Sequence, residues 1–223
     1  MNRLARITKL EYFFFFILFA FSGYGLFLAK TDLAAYRIFV QEDGLVENLT
    51  SLFLFGVSMV SIYRLTEYKK AGKPATWMIT AATMAFLFFF AAGEEISWGQ
   101  RIFDIQSSEF FLEHNKQAET NLHNLVVGET SINKLIFSQI LVSVLVIYFL
   151  LSRVLVAKVG FIRKLEITFH VPLPKIQHSV VMILVSALIA LIQLPKQPEL
   201  LEMSFAFIFF MIFMNPATIE KQD

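Results

Sequence analysis

Six long apolar segments dominate this sequence of 223 residues and constrain its fold more than any other feature. Their approximate ranges are 11–29, 46–64, 76–93, 132–152, 178–194 and 200–214. A bilayer core of about 30 Å needs about 20 apolar residues in a helix, and backbone polar groups in lipid are satisfied only in helices or closed barrels. No segment alternates with the period of two that is typical of outer-membrane strands. The sequence therefore predicts an all-α, polytopic transmembrane bundle of about six spans, forming one integral membrane domain over 1–223.

The composition excludes several classes of protein. Hydrophobic residues make up 57% of the chain and charged residues 17%, whereas soluble domains average about 45–50% and about 25%. A soluble enzyme, a nucleic-acid-binding protein and a disordered linker are therefore excluded. With no cysteine in the chain, disulfides, thiolate metal sites and a cysteine nucleophile are excluded too.

The first and sixth segments each allow an alternative interpretation. The first follows basic residues, as a signal peptide does, but its apolar stretch of about 17 residues exceeds the usual length of about 7–15. We therefore expect a retained helix. The sixth segment is short and contains Glu202, which suggests a tilted or partly inserted helix.

The distribution of charge predicts the orientation of the chain. Thirteen of the 19 basic residues precede the first segment, fill the second and fourth connections, or follow the sixth segment. The positive-inside rule places these regions in the cytoplasm, while 13 of the 18 acidic residues fall on the opposite side. Both termini are then cytoplasmic, which requires an even number of spans and supports counting the sixth segment.

Two polar stretches on the predicted outer face are the best candidates for a functional site. One covers 41–48 before the second span, and the other forms a 38-residue loop, 94–131, between the third and fourth spans. A loop of that length is usually functional rather than a simple connection. We therefore expect a long polar extracytoplasmic loop that carries the site.

Glu94 and Glu95 at the end of the third span are the most unusual residues of this region. We expect the helix to continue through them, which would place Glu94, Trp98 and Arg101 on one stripe. Carboxylates near hydrocarbon usually face a cavity or a partner, and two adjacent acids repel unless they are protonated, paired or bound to a cation. The alternative is a helix end in water, with an interfacial Glu94–Arg101 ion pair and Trp98 as a membrane-interface anchor.

The loop histidines suggest a metal site. Glu119 and His123 are four residues apart, a spacing that can seat a metal on a helix, although each histidine, including His114, can equally be a solvated loop residue. A divalent ion, Zn or Mg, would hold the acids together. The candidate residues are Glu94, Glu95 and His123 for catalysis, Trp98, Arg101 and Asn124 for substrate binding, and Glu47, Glu94, Glu119 and His123 for the metal.

The blocks EDGLVENLT (42–50), GEEISWGQR (93–101) and NLHNL (121–125) resemble a group of uncharacterised bacterial multi-pass membrane proteins with EDGxxE, GEEISWGQR and NLHN blocks. The resemblance covers roughly 41–125. It implies a multi-pass protein of the bacterial inner membrane and no particular activity.

Two characterised classes are similar more distantly. CAAX-type membrane proteases carry EExxxR and FxxxH motifs, but here Arg101 lies six residues after Glu95 and His114 lies in a loop. Alkaline-ceramidase-like hydrolases carry an acidic block that Asp43-x-x-x-Glu47 resembles. No catalytic residue is transferred from either class.

Three functional hypotheses follow from the sequence. The first is a metal-dependent hydrolase or transferase that acts on a membrane lipid or lipid-linked substrate at the periplasmic face. The second is a non-enzymatic binding or assembly subunit whose loop docks a periplasmic or membrane protein partner. The third, a small-solute transporter, is disfavoured because the middles of the spans carry almost no charge.

Overall fold

The structure of the protein, a computed structural model, describes residues 8–122, 124–127, 130–131 and 142–217. Nearly all of the regular structure is helical. The helices are α1 (Lys9–Thr31), α2 (Leu33–Phe39), α3 (Leu45–Lys70), α4 (Ala75–Glu95), α5 (Glu109–His114), α6 (Val142–Val146), α7 (Ser152–Lys158), α8 (Gly160–Phe169), α9 (Ile176–Ala190) and α10 (Gln197–Met214). A 3₁₀ turn (Ser97–Gly99), a π-helical turn (Ile147–Leu151) and two antiparallel strands, β1 (Val126–Val127) and β2 (Thr130–Ser131), complete the described elements.

Four helices, α1, α3, α4 and α10, are long and apolar enough to cross a membrane. A fifth crossing results if 143–158 and 160–169, which meet at 108°, form one bent span, and α9 is apolar but only 15 residues long. The prediction of an all-helical chain suited to a membrane is confirmed. The count of six spans stays a prediction, since the first ten residues of the fourth predicted span, 132–152, lie outside the described residues.

Helices α3 and α4 pack closely along small residues. Ser51 Oγ donates a hydrogen bond to the Ala92 carbonyl oxygen at 2.8 Å, and Ser58 Oγ donates to that of Ala85 at the same distance. All four residues are buried. Between membrane helices, small residues allow backbones to approach, and hydroxyl hydrogen bonds hold them together. The sequence of this interface therefore fixes the register of α3 against α4.

Helix α10 lies at the centre of the bundle and packs against α3, α9 and α1. Half of the residues in the apolar stretch of α10 are buried, compared with 22–33% of those in α1, α3 and α4. Gly56 of α3 allows this approach, because a Cβ there would lie 2.9 Å from the Phe210 ring. Helix α10 is long and apolar enough to cross a membrane, while the expectation that the sixth segment is tilted or partly inserted stays a prediction.

The two ends of the bundle differ in their polar contacts. At one end, Glu11 near the start of α1 accepts hydrogen bonds from Lys175 Nζ at 2.8 Å and Asn215 Nδ2 at 3.0 Å. These contacts tie α1 to the residues that flank α9 and α10. The starts of α3 and α10 and the end of α4 meet at the opposite end, where the acidic residues collect.

Candidate functional site

Six glutamates from four segments line a small cavity at this end of the bundle, which we call the acid pocket. Its volume is about 50 Å³. Three amide side chains of the loop after α4 complete its wall. The lining residues are Glu42, Glu47, Glu94, Glu95, Glu199, Glu202, Gln117, Asn121 and Asn124.

The α3–α4 interface explains why the first glutamates meet. Glu47 precedes Ser51 by about one helical turn, and Glu95 follows Ala92 by about one turn. The hydrogen bond between Ser51 and Ala92 therefore places the two carboxylates at the same level. The structure brings Glu47, Glu94 and Glu95 to one cavity, while the catalytic and metal-binding roles that the sequence suggested for them stay predictions.

The end of α4 differs from the sequence-based expectation. The helix includes Glu94 and Glu95 but ends there, so the helical stripe predicted through Arg101 is wrong. Ser97, Trp98 and Gly99 have φ of 45°, 55° and 74°, and such left-handed conformations are costly for residues other than glycine. A strained left-handed turn therefore replaces the expected helix.

This turn folds Trp98 back onto the last turn of α4. The Trp98 indole Nε1–H donates to Glu94 Oε1 at 2.8 Å, and the backbone N–H of Leu122 donates to Glu94 Oε2 at 2.5 Å. The Trp98 ring covers Gly93, where a Cβ would lie 2.7 Å from it. Trp98 lies outside the pocket lining and holds Glu94 in place, and its suggested role in substrate binding stays a prediction.

Arg101 and Glu119 brace the loop from outside the acid pocket. Arg101 forms ion pairs with Asp43 and Glu119, and Glu119 also accepts a hydrogen bond from Ser97 Oγ at 2.5 Å. Asn121 Nδ2 donates to the same Ser97 Oγ at 2.8 Å. The described ion pairs of Arg101 thus connect the 41–48 stretch with the loop. Glu119 takes part in this ion-pair network and does not line the pocket.

Amide side chains close the outer rim of the acid pocket. Asn124 Nδ2 donates to Gln117 Oε1 at 2.6 Å, and Gln117 Nε2 donates to Glu42 Oε1 at 2.8 Å. Lys196 forms a salt bridge with the same Glu42 oxygen at 2.8 Å. Asn124, which the sequence suggested for substrate binding, therefore contributes to the pocket through this rim.

Sequence reasoning missed Glu199 and Glu202 as site residues. Helix α10 begins after Lys196, whose φ of 62° turns the chain into the helix. The buried Tyr36 donates its hydroxyl to the Pro195 carbonyl oxygen at 3.4 Å and so supports this turn. Burial, together with the negative charge of Glu199, raises the pKa of Tyr36. The sequence did contain a signal for Glu202, because an acidic residue inside an apolar segment usually marks a functional site.

Glu95 and Glu202 differ from Glu94 in their contacts. Glu94 is buried, whereas Glu95 and Glu202 are partly exposed. Within the described part of the chain, no hydrogen-bond donor and no basic side chain contacts either carboxyl group. These two groups are therefore available to a ligand, in contrast to Glu94, which two donors hold.

A larger apolar cavity of about 440 Å³ adjoins the acid pocket and shares Glu94, Glu95 and Glu202 with it. It runs along α4 from Glu95 to Met84, about 16 Å of helix. Its volume lies within the range of about 300–1,000 Å³ that is typical of small-molecule sites. Its other lining residues are Thr50, Leu54, Leu87, Phe88, Phe90, Ala91, Val144, Leu145, Tyr148, Val171, Phe205, Ala206, Phe209 and Phe213.

The histidines do not complete a metal site in the described residues. His123 lies outside them, so its suggested catalytic and metal-binding roles stay predictions. His114 is exposed, and its ring stacks on Phe110 with 4.8 Å between ring centroids. Among the described residues, no group of three or more His, Cys, Asp or Glu side chains has an arrangement that could hold a metal ion.

Comparisons of the chain with known protein families, with curated proteins and with solved structures give no match. The site is therefore interpreted from its own geometry. Two features define it, namely a cluster of carboxylates and an apolar cavity that begins at the same carboxylates.

Proposed function

We propose that this protein is an integral membrane hydrolase or transferase that acts on a membrane lipid or lipid-linked substrate. The observation that carries the proposal is the junction of the two cavities at Glu94, Glu95 and Glu202. An amphiphile has a polar head joined to an apolar tail. A site whose polar and apolar parts meet at reactive side chains would place the head–tail junction of such a molecule beside them.

The hydrogen bonding of the glutamates suggests separate roles. Glu94 receives two hydrogen bonds from described residues and would serve as a fixed anchor for the substrate head. Glu95 would act as the general base that takes a proton from the attacking water or hydroxyl, and Glu202 would give a proton to the leaving group. Positioned acid–base catalysis of this kind typically contributes about 10²–10⁴-fold in rate.

The location of the reaction follows from the charge distribution of the sequence. The acid pocket lies at the end of the bundle opposite the basic connections between α3 and α4 and before α9. The positive-inside rule assigns those connections to the cytoplasm. We therefore propose an inner-membrane protein with cytoplasmic termini, whose site opens to lipid at the periplasmic face.

A divalent metal ion is one proposed source of positive charge at this site. Zn or Mg bound by Glu47, Glu94 and His123 would polarise the substrate and activate water. Metal analysis of the purified wild type, Glu94→Gln and His123→Ala tests this proposal. Stoichiometric metal that both variants lose would support it, and metal-free protein with full activity would contradict it.

Turnover of defined lipids tests the proposal. The protein would be reconstituted in nanodiscs with a panel of phospholipids, aminolipids and glycolipids, and the products identified by mass spectrometry. We expect the wild type to convert at least one lipid class and Glu95→Gln to reduce that rate by about 10²-fold or more. Glu113→Gln is the matched control, because Glu113 is exposed on α5 and lies outside the pocket lining.

The non-enzymatic alternative makes the opposite forecast for this experiment. A binding or assembly subunit would leave every lipid of the panel unchanged, and Glu95→Gln would behave as the wild type does. Either result would overturn the proposed catalysis.

A further inference from the structure

We propose that the substrate is a single-chain amphiphile with a cationic, amine-bearing head, which lies in the acid pocket while the chain fills the apolar cavity. This inference rests on the proposed function for the substrate role, but not for binding. The acid pocket would recognise the head of the ligand, and the apolar cavity would recognise its chain.

The charge of the acid pocket points to a cationic head. Six glutamates line the pocket, and Glu42 forms a salt bridge with Lys196. Glu47, Glu95, Glu199 and Glu202 form no salt bridge with any residue of the described ranges. Carboxylates clustered away from bulk water repel one another unless they take up protons or a positive charge compensates them. An ammonium group on the ligand would supply that charge.

The position of Glu95 and Glu202 adds an observation that is independent of the number of acids. Both residues line the two cavities at once, and their carboxyl groups have no hydrogen-bond donor among the described residues. A polar group that is partly removed from water and has no partner is costly. An ammonium head at the junction would donate hydrogen bonds to both carboxyl groups, and the bond to an ionised one is charge-assisted and therefore strong.

The shape of the apolar cavity points to a single chain. The cavity has a volume of about 440 Å³ and follows α4 and α10 from the glutamates toward Phe213. Aromatic side chains form much of its wall, among them Phe88, Phe205 and Phe209. The end of the cavity is about 16 Å of helix away from Glu95, which suits a medium-length alkyl chain better than the two chains of a phospholipid.

The negative electrostatic potential of the same pocket would disfavour an anionic head. Lys196 is the one basic side chain that contacts a pocket carboxylate in the described structure, and Arg101 is paired with Asp43 and Glu119. A phosphate head would therefore be repelled by several carboxylates and attracted by one lysine. The charge of the head thus separates the proposed ligand from ordinary anionic lipids.

A competition among amphiphiles with the same tail tests this inference. The full chain in a neutral detergent would be given equal mole fractions of dodecylammonium, dodecyl phosphate and dodecyl maltoside, and the bound species would be counted by native mass spectrometry. We expect the cationic amphiphile to be bound about tenfold more than either competitor. Glu95→Gln and Glu202→Gln should each reduce this preference several-fold, whereas Glu113→Gln should leave it unchanged.

The outcomes separate this inference from the proposed function. Equal binding of the three amphiphiles, or preference for dodecyl phosphate, would overturn the inference even if lipid turnover is observed. A bound divalent metal together with no cationic preference would overturn it as well, since the compensating charge would then come from the metal. Cationic preference without turnover of any lipid would support the inference and contradict the proposed catalysis.

Discussion

Ser51 on α3 donates a hydrogen bond to the carbonyl oxygen of Ala92 on α4 at 2.8 Å, one helical turn from the acid pocket on both helices. This contact sets the level at which the carboxylates of the two helices meet. Ser58 makes the same type of contact with Ala85 at the same distance, two turns farther from the pocket. The pair of contacts offers a matched test of how the helix register supports the site.

Replacing each serine by alanine should separate stability from function. Ser51→Ala and Ser58→Ala each remove one interhelical hydrogen bond, which is worth about 0.6 kcal/mol on average between membrane helices. We expect similar small losses in thermal unfolding midpoint for both variants. Ser51→Ala alone should weaken binding of the cationic amphiphile. Equal effects of the two variants on binding would show that the register at Ser51 does not position the carboxylates.

Gly93 tests the contact between Trp98 and Glu94. A methyl group at Gly93 would lie 2.7 Å from the Trp98 ring, so Gly93→Ala should displace the indole and break its hydrogen bond to Glu94. Hydrogen bonds to charged groups contribute about 1.5–3 kcal/mol, and we expect a loss of that order in the free energy of unfolding. Trp98 fluorescence, measured in a Trp77→Phe background, should shift to longer wavelength.

Gly23 provides the control for this substitution. It also lies in a membrane-length helix, but a Cβ there would meet no atom within 4 Å. Gly23→Ala should leave stability unchanged or raise it slightly, since alanine favours helix over glycine by about 1 kcal/mol. If Gly93→Ala matched Gly23→Ala in stability and fluorescence, the Trp98–Glu94 contact would have no role in holding the site.

His170 should make stability depend on pH at the opposite end of the bundle. Burial and the positive charges of Arg64 and Lys73 lower the pKa of His170, while Glu166 lies 3.9 Å away. A histidine with a lowered pKa in the folded state stabilises the protein above its unfolded value of about 6.5, and this stability is lost as the pH falls toward the folded value.

His170→Phe removes this titration but keeps an aromatic ring against Trp77, whose ring now stacks on His170 with 3.9 Å between centroids. Thermal unfolding of the wild type and the variant between pH 7.5 and pH 5.5 tests the effect. We expect the variant to gain relative stability as the pH falls. A constant difference across the range would mean that His170 keeps its unfolded pKa in the folded protein.

Single cysteines test the proposed orientation, because the native chain has none. Lys116 in the loop after α4 and Ala71 at the end of α3 are both exposed, so a cysteine at either position is accessible to a thiol reagent on its side of the membrane. Lys116→Cys should react with an impermeant reagent in cells whose outer membrane is permeabilised, and Ala71→Cys should not. The reverse labelling would move the acid pocket to the cytoplasmic side.

The helices and part of the site could be predicted because the evidence is local. Runs of apolar residues identify α1, α3, α4 and α10, although α3 continues to Lys70, six residues beyond the predicted end at 64. A helix can extend past its apolar stretch into polar surroundings. The meeting of Glu47 with Glu94 and Glu95 follows from the short connection between antiparallel α3 and α4.

The remaining features depend on tertiary packing. The contribution of Glu199 and Glu202 requires α10 to lie at the centre of the bundle, and no pattern in the sequence of α10 alone states which helices surround it. The left-handed turn at Ser97 and Trp98 is also unpredictable, because neither residue type favours positive φ. The helical stripe predicted through Arg101 is wrong for the same reason, since α4 ends at Glu95.

Mapping where the tail of a cationic amphiphile binds tests the central claim most directly. A dodecylamine derivative with a diazirine at the end of its chain would be cross-linked to the protein in nanodiscs, and the labelled residues identified by mass spectrometry. Ala91→Phe, which fills the apolar cavity, and Ala82→Phe, on the exposed face of α4, are the matched variants.

If the two cavities form one amphiphile site, labels should concentrate on the far end of the apolar cavity, at Met84, Phe209 and Phe213. Ala91→Phe should abolish this labelling, and Ala82→Phe should leave it intact. Labels spread over the exposed α1 residues Phe13 and Phe16, at the same yield and unaffected by Ala91→Phe, would contradict the single site.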